Sequence, residues 1–402
     1  MAKTLDFWFD YSCPFAYLGS TQVGALAKRM SAELTYRPML LGGVFRALGT
    51  PQRLFETLVP PKAQHNARDM QRWAALYGVP LEMPPGHPMR TVEALRATLV
   101  TGCDPRVIDG FYRAYWVEGR GPSEPDTMKG VLRAAGHDAD RVLARIGEQA
   151  VKDDLRTRTD EAVALGIFGA PSYVVDGGKM FWGQDRAHFV AGVPIDDVLP
   201  PKPAPSGKKH TLELYWDFSS PFAYLGSTQA EAIAARTGAT LVWRPMLLGG
   251  LFKQVGQPMV PMQTWSPARQ RYLFDDLNRW AEHWGVPFKF PSSFPTNSLK
   301  SMRCYLALPE ARRDAYRERT FRAYWAEDKD ITNDSVLRDL IGEGADGVFA
   351  RAQSPEVKKA LVDGTERAAK AGAFGAPAWV IDEKDLYWGQ DRTALVERAL
   401  MV

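Results

Sequence analysis

One stretch of this chain is written twice. Asp10-Tyr-Ser-Cys-Pro-Phe-Ala-Tyr-Leu-Gly-Ser-Thr-Gln22 returns as Asp217-Phe-Ser-Ser-Pro-Phe-Ala-Tyr-Leu-Gly-Ser-Thr-Gln229, and the segments that follow repeat with it. A period of roughly 200 residues is far too long for a solenoid and marks a duplicated domain. The 402 residues also exceed what one ordinary core holds, so length and repeat both predict two domains.

Both halves follow one plan. Leu5, Phe7 and Phe9 alternate with Asp6, Trp8 and Asp10, and Leu212, Leu214 and Trp216 do the same, which is the period of a strand. After the turn, Leu18, Ala25 and Leu26, or Leu225, Ala232 and Ile233, predict one face of a helix. Leu34-Thr-Tyr-Arg-Pro38 and Trp243-Arg-Pro245 then read as a second strand stopped by proline, each leading into a Gly-Gly loop. The middle of each half is helical: Met70, Trp73, Ala74 and Tyr77, then Ile108, Phe111, Tyr112 and Tyr115, and later Leu277, Trp280, Ala281 and Trp284, recur at i, i+3, i+4, i+7. Such aromatic stripes are helical core. Ser172–Val175, the turn at Asp176-Gly-Gly-Lys179 and Met180–Trp182 predict a hairpin before a last helix at Gln184, matched by Phe374–Ile381 and Trp388–Arg392. Each half thus runs βαβ, helices, ββα. The Pro-rich stretch from Pro200 to Lys209 has no periodicity and reads as a semi-stiff linker. The expected division is 1–199, a linker at 200–210, and 211–402, with the two α/β domains packing as a pseudo-dimer within the chain.

Charge narrows the partners. A formal net charge of +3 over interleaved acids and bases leaves no footprint for nucleic acid, and no apolar run approaches the roughly 20 residues of a membrane span. A small molecule is the expected partner. The opening Met1-Ala-Lys-Thr-Leu-Asp6 lacks a secretory pattern and the three cysteines form no CxxC or metal spacing, so a cytoplasmic location is expected, with no metal.

The chemistry is placed at the strand-to-helix turn. A helix start carries unpaired N–H groups and the positive end of the dipole, both favourable to an anion, and proline loses no donor there. The residue before that proline is Cys13 in one half and Ser220 in the other. Serine at such a position can equally be a plain helix cap. For Cys13 the helix start predicts easier ionisation, but Ala16 stands where a resolving cysteine would be, which disfavours a dithiol oxidoreductase. Cys103 and Cys304 fall in helical segments and read as packing residues.

Asp-Phe-x-Ser-Pro-Phe-x-Tyr-Leu, Arg-Pro-x-Leu-Leu-Gly-Gly, Phe-Gly-x-Pro and Phe/Tyr-Trp-Gly-Gln-Asp-Arg, in this order and twice over, resemble the 2-hydroxychromene-2-carboxylate isomerases and the kappa-class glutathione transferases. These belong to the DsbA-like branch of the thioredoxin fold. The resemblance implies two tandem thioredoxin-like domains, each a βαβ and a ββα unit around a helical insertion. It implies glutathione as cofactor, held as thiolate by a serine hydroxyl at the position of Ser220, with Cys13 in its place in the first half. It implies further contacts at Gln257, Arg269 and Asn297 in the second half and at Thr50, Lys62 and Arg90 in the first, where the family carries Asn, Lys and Asn. Pro171 and Pro377 are expected cis, with the backbone of Ala170 or Ala376 pairing with the tripeptide. Gln184-Asp185 and Gln390-Asp391 would receive its γ-glutamyl end. The implied activity is a glutathione-dependent isomerisation of an aromatic-catabolism intermediate by reversible thiolate addition. A kappa-like transferase, a monothiol oxidoreductase at Cys13, and a non-catalytic first domain stand as alternatives.

Overall fold

The computed structural model describes residues 3–402; Met1 and Ala2, the start of the opening segment considered above, lie outside the described residues. The described residues form two four-stranded sheets. In the first, β1 (Lys3–Phe9) pairs in parallel with β2 (Ala32–Pro38) and antiparallel with β3 (Ser172–Val175), which pairs with β4 (Lys179–Trp182). The second repeats this order with β5 (Thr211–Trp216), β6 (Thr240–Pro245), β7 (Ala378–Ile381) and β8 (Asp385–Trp388). Parallel strands need a crossover, here the helices Pro14–Met30 and Pro221–Thr237. The helical insertions lie between β2 and β3 and between β6 and β7.

The compact units are not the two halves of the chain. One comprises Met1–Thr57, Ala67–Pro201 and Ser266–Arg269; the other comprises Leu58–Asn66, Lys202–Trp265 and Gln270–Val402. Each unit thus takes a short helical segment from the opposite half. The reason in the second unit is visible at His65, which is buried and packs its ring on Phe374 and Trp388. The linker, without regular structure, is anchored in that unit: Lys202 pairs with Glu397, and Ser206 N–H donates to the Met401 carbonyl.

Two readings of pattern need correction. Ala25 and Ala232 face solvent, because the buried arc of the first helix runs through Leu18, Val23, Leu26 and Met30 and leaves Ala25 outside it. The Gly-Gly segments are not loops but the first turns of the helices Leu41–Ala47 and Leu248–Val255.

Aromatic side chains build each core and brace the turn that follows the first strand. Phe9 and Tyr11 contact Tyr112, and the Trp116 indole donates to the Tyr11 carbonyl at 2.8 Å. In the second unit Trp216, Phe218 and Phe321 take these places, and the Trp325 indole donates to the Phe218 carbonyl at 2.7 Å. Burial of each such ring contributes roughly 2–3 kcal/mol, and the Trp116 and Trp325 indole N–H groups fix where the turns sit. The repeated glycine of the first helix is a close approach: a Cβ on Gly226 would meet Pro377 at 3.1 Å and Trp379 at 3.3 Å. Among the described residues no helix is long and apolar enough to cross a membrane.

Candidate functional site

In the second unit Ser220 is the N-cap of Pro221–Thr237, in extended backbone conformation. Its Oγ accepts from Ala223 N–H at 3.1 Å and donates to the Ala376 carbonyl at 2.9 Å. The cap function is real, and the hydroxyl proton simultaneously bridges the helix start to the loop before β7. Both Ala376-Pro377 and, in the first unit, Ala170-Pro171 are cis. Gly389, at φ +106, turns the chain after β8 where an added Cβ would strike the Asp391 carboxylate at 2.5 Å. Gln390 is buried, and Asp391 pairs with Arg392 at 3.2 Å.

Cys13 occupies the same place in the first unit with different consequences. It makes no side-chain cap bond, and its Sγ–H donates to the Ala170 carbonyl at 2.9 Å. Burial pushes the thiol up to about 12, against the opposing pull of the Ala16 and Phe15 backbone N–H groups, and Asp10 pushes the same way as burial. The direction is opposite to the easing of ionisation expected at the helix start: desolvation of the thiolate outweighs the two backbone N–H groups. Gln184 is buried and Asp185 pairs with Arg186 at 3.0 Å, as in the second unit.

The remaining predicted residues divide unevenly. Lys62, read from sequence as part of the first site, lies in the second unit with Nζ 5.7 Å from the Trp388 ring centre. Arg269, read as part of the second site, lies in the first unit at 5.7 Å from Trp182, where burial lowers it to about 10. The assignments are exchanged because the short segments that carry them are exchanged. Arg90 turns to solvent and makes a bidentate ion pair with Glu93. Asn297 is exposed, its Oδ1 accepting from Leu299 N–H. Gln257 lies half-buried just past the helix Leu248–Val255, its N–H donating to the Phe252 carbonyl, and the Thr50 N–H donates to the Phe45 carbonyl. Cys304 is buried, with its thiol likewise pushed up to about 12 by burial; Cys103 is half-buried.

Sequence reasoning missed His65, whose Nε2 accepts from the Trp388 backbone N–H at 3.1 Å and so steadies the end of β8 before Gly389. No local pattern announces it. It also passed over Asp10 and Asp217, although both stand at the head of the repeated stretch; each is fully buried beneath its turn.

A family model, the DSBA-like thioredoxin domain, matches the chain twice, at residues 4–193 and 211–401. The 2-hydroxychromene-2-carboxylate isomerase of Sphingobium xenophagum is 31% identical over 49% of this chain and 100% of its own length. The human glutathione S-transferase kappa 1 is 30% identical over 47% of this chain and 90% of its own length. A solved 2-hydroxychromene-2-carboxylate isomerase aligns with a TM-score of 0.42 at 24% identity, covering 47% of this chain and 93% of that one.

Proposed function

The chain belongs to the DSBA-like thioredoxin domain family, in the branch of the 2-hydroxychromene-2-carboxylate isomerases and kappa glutathione transferases and as a tandem duplication, and on that footing we propose a glutathione-dependent isomerase working at Ser220. The branch is one of enzymes, isomerases and transferases. The observation that carries the reading is the Ser220 hydroxyl, buried at a helix start and spending its proton on the Ala376 carbonyl.

That donor set suits glutathione. Turning the Ser220 O–H from Ala376 toward a sulfur leaves a hydrogen-bond donor where an anion is favoured and frees the Ala376 carbonyl to accept from a peptide N–H. Gln390 and Asp391 open the turn of helix after Gly389, a place suited to a carboxylate and an ammonium group. Lys62 adds a cation in the same unit. Glutathione, when bound, supplies the thiolate nucleophile that adds to and leaves an activated double bond of an aromatic-derived substrate. A cytoplasmic location agrees with three free cysteines. Cys13, held as a thiol against Ala170, favours the reading of the first unit as a non-catalytic partner over a monothiol redox role.

Calorimetric titration of glutathione into the full chain, with turnover of 2-hydroxychromene-2-carboxylate, tests this. One binding site, lost with turnover in Ser220→Ala, is expected. Unchanged affinity and turnover in that variant would overturn the assignment.

A further inference from the structure

Asp217 is fully buried, yet its partners carry no charge. Oδ1 accepts from the Ser219 N–H at 2.9 Å and from the Ser219 Oγ–H at 3.0 Å; Oδ2 accepts from the Leu248 N–H at 2.6 Å, and the Ser298 hydroxyl also favours the charged form. Asp10 repeats the arrangement in the first unit, with Ser12 at 2.9 and 3.0 Å, Leu41 N–H at 2.8 Å and the Thr91 hydroxyl. A carboxylate offers about four acceptor positions, and in each unit three are taken by hydrogen bonds from a serine N–H, the same serine's hydroxyl and a leucine N–H. Burying one without a cation is costly, and burial indeed raises both carboxyls above their ordinary range while the donors oppose it.

The donors come from three separate parts of the chain. Ser219 precedes Ser220. Leu248 opens the helix that runs toward Gln257, and because Leu247 offers no side-chain cap, the Asp217 carboxyl caps that helix from another element. Ser298 follows Asn297. One carboxyl therefore ties together three of the segments that carry candidate glutathione contacts, although it is itself shut away from any ligand. The chain uses a hydroxyl at Thr91 and at Ser298 alike, so the shared element is the donor and not the shape of the side chain.

We propose that Asp217 is a positioning residue of the glutathione site, setting the Ser220 turn against the Leu248 helix and the Asn297 segment; the proposal rests on the glutathione reading above. Reacting and binding groups lose much of their effect when displaced by about 1 Å, whereas a carboxyl serving the fold alone would leave affinity untouched in the folded protein. Three substitutions separate these cases. Ser298→Ala removes one donor. Ser298→Thr restores it in the form found at Thr91. Asp217→Asn keeps the size but turns an amide N–H₂ or a single oxygen toward donors that need two.

The measurement is the dissociation constant for glutathione by calorimetry on the full chain, at a temperature where circular dichroism shows each variant folded, alongside its melting temperature. Ser298→Ala is expected to weaken binding about tenfold, Ser298→Thr to return it to within about twofold of wild type, and Asp217→Asn to weaken it at least as much as Ser298→Ala. Lowered melting with unchanged affinity across the variants would overturn the proposal and leave the glutathione reading standing. Absence of binding in the wild type would overturn both. Should Asp217→Asn fail to fold, the alanine and threonine variants of Ser298 decide alone.

Discussion

Cys13 and Ser220 sit on the same turn, before the same proline, against the same carbonyl, and differ by one atom. The oxygen of Ser220 both caps its helix, by accepting from Ala223, and donates to Ala376. The sulfur of Cys13 donates to Ala170 but makes no cap bond, since sulfur accepts weakly. A hydroxyl loses nothing by being neutral, because its task is to donate. A thiol must ionise to be a nucleophile, and the burial that both turns share suppresses ionisation. Equivalent turns can therefore hold a hydroxyl as a hydrogen-bond donor in one unit and disfavour ionisation of a thiol in the other.

The largest test of this contrast is alkylation. With its thiol pushed up to about 12, Cys13 stays protonated through neutral pH, and its thiolate fraction rises only as pH climbs toward that value. Against an ordinary cysteine at pH 8, iodoacetamide labelling of native Cys13, followed by mass spectrometry, is expected to be roughly 10³-fold slower. Labelling at the rate of the unfolded chain would erase the distinction between the turns. Next in size, Ser220→Ala should lower turnover by about 10²-fold while Cys13→Ala leaves it within about twofold. Equal losses would make both units active. Third, Lys62→Met should weaken glutathione binding about tenfold and Arg269→Met should not, since Lys62 lies in the unit of Ser220 and Arg269 in that of Cys13. The reverse result would return both residues to the sites their sequence positions suggest. Smallest is a difference close to zero: Trp116→Phe and Trp325→Phe each leave one turn carbonyl without its indole donor, at a cost of about 1–3 kcal/mol. Chemical denaturation should show the two costs agreeing within about 0.5 kcal/mol. A larger gap would mean that the two turns are not braced alike.

Much of the architecture was legible from local pattern. The alternation at Leu5, Phe7 and Phe9 and the Asp-Gly-Gly-Lys turn are signals carried by a few adjacent residues, and both strands and hairpin stand where those signals put them. The Gly-Gly segments read as loops because their helices are capped from elsewhere, by carboxyls at Asp10 and Asp217 some thirty positions earlier in the chain. The exchange of Lys62 and Arg269 could not be seen at all, since nothing in either segment says which sheet it will meet. For Cys13 the helix start was visible but the burial was not, and the stronger effect was the invisible one.

The hydrogen bond from Trp388 to His65 joins positions 323 residues apart. A chain made on the ribosome at about 5–20 residues per second exposes His65 for on the order of tens of seconds before its partner exists. The earlier segment must wait, uncommitted, while the whole second half is synthesised, so the two halves cannot finish folding in the order in which they are made. A gene cut at the linker would yield a second fragment permanently short of the segment that completes it.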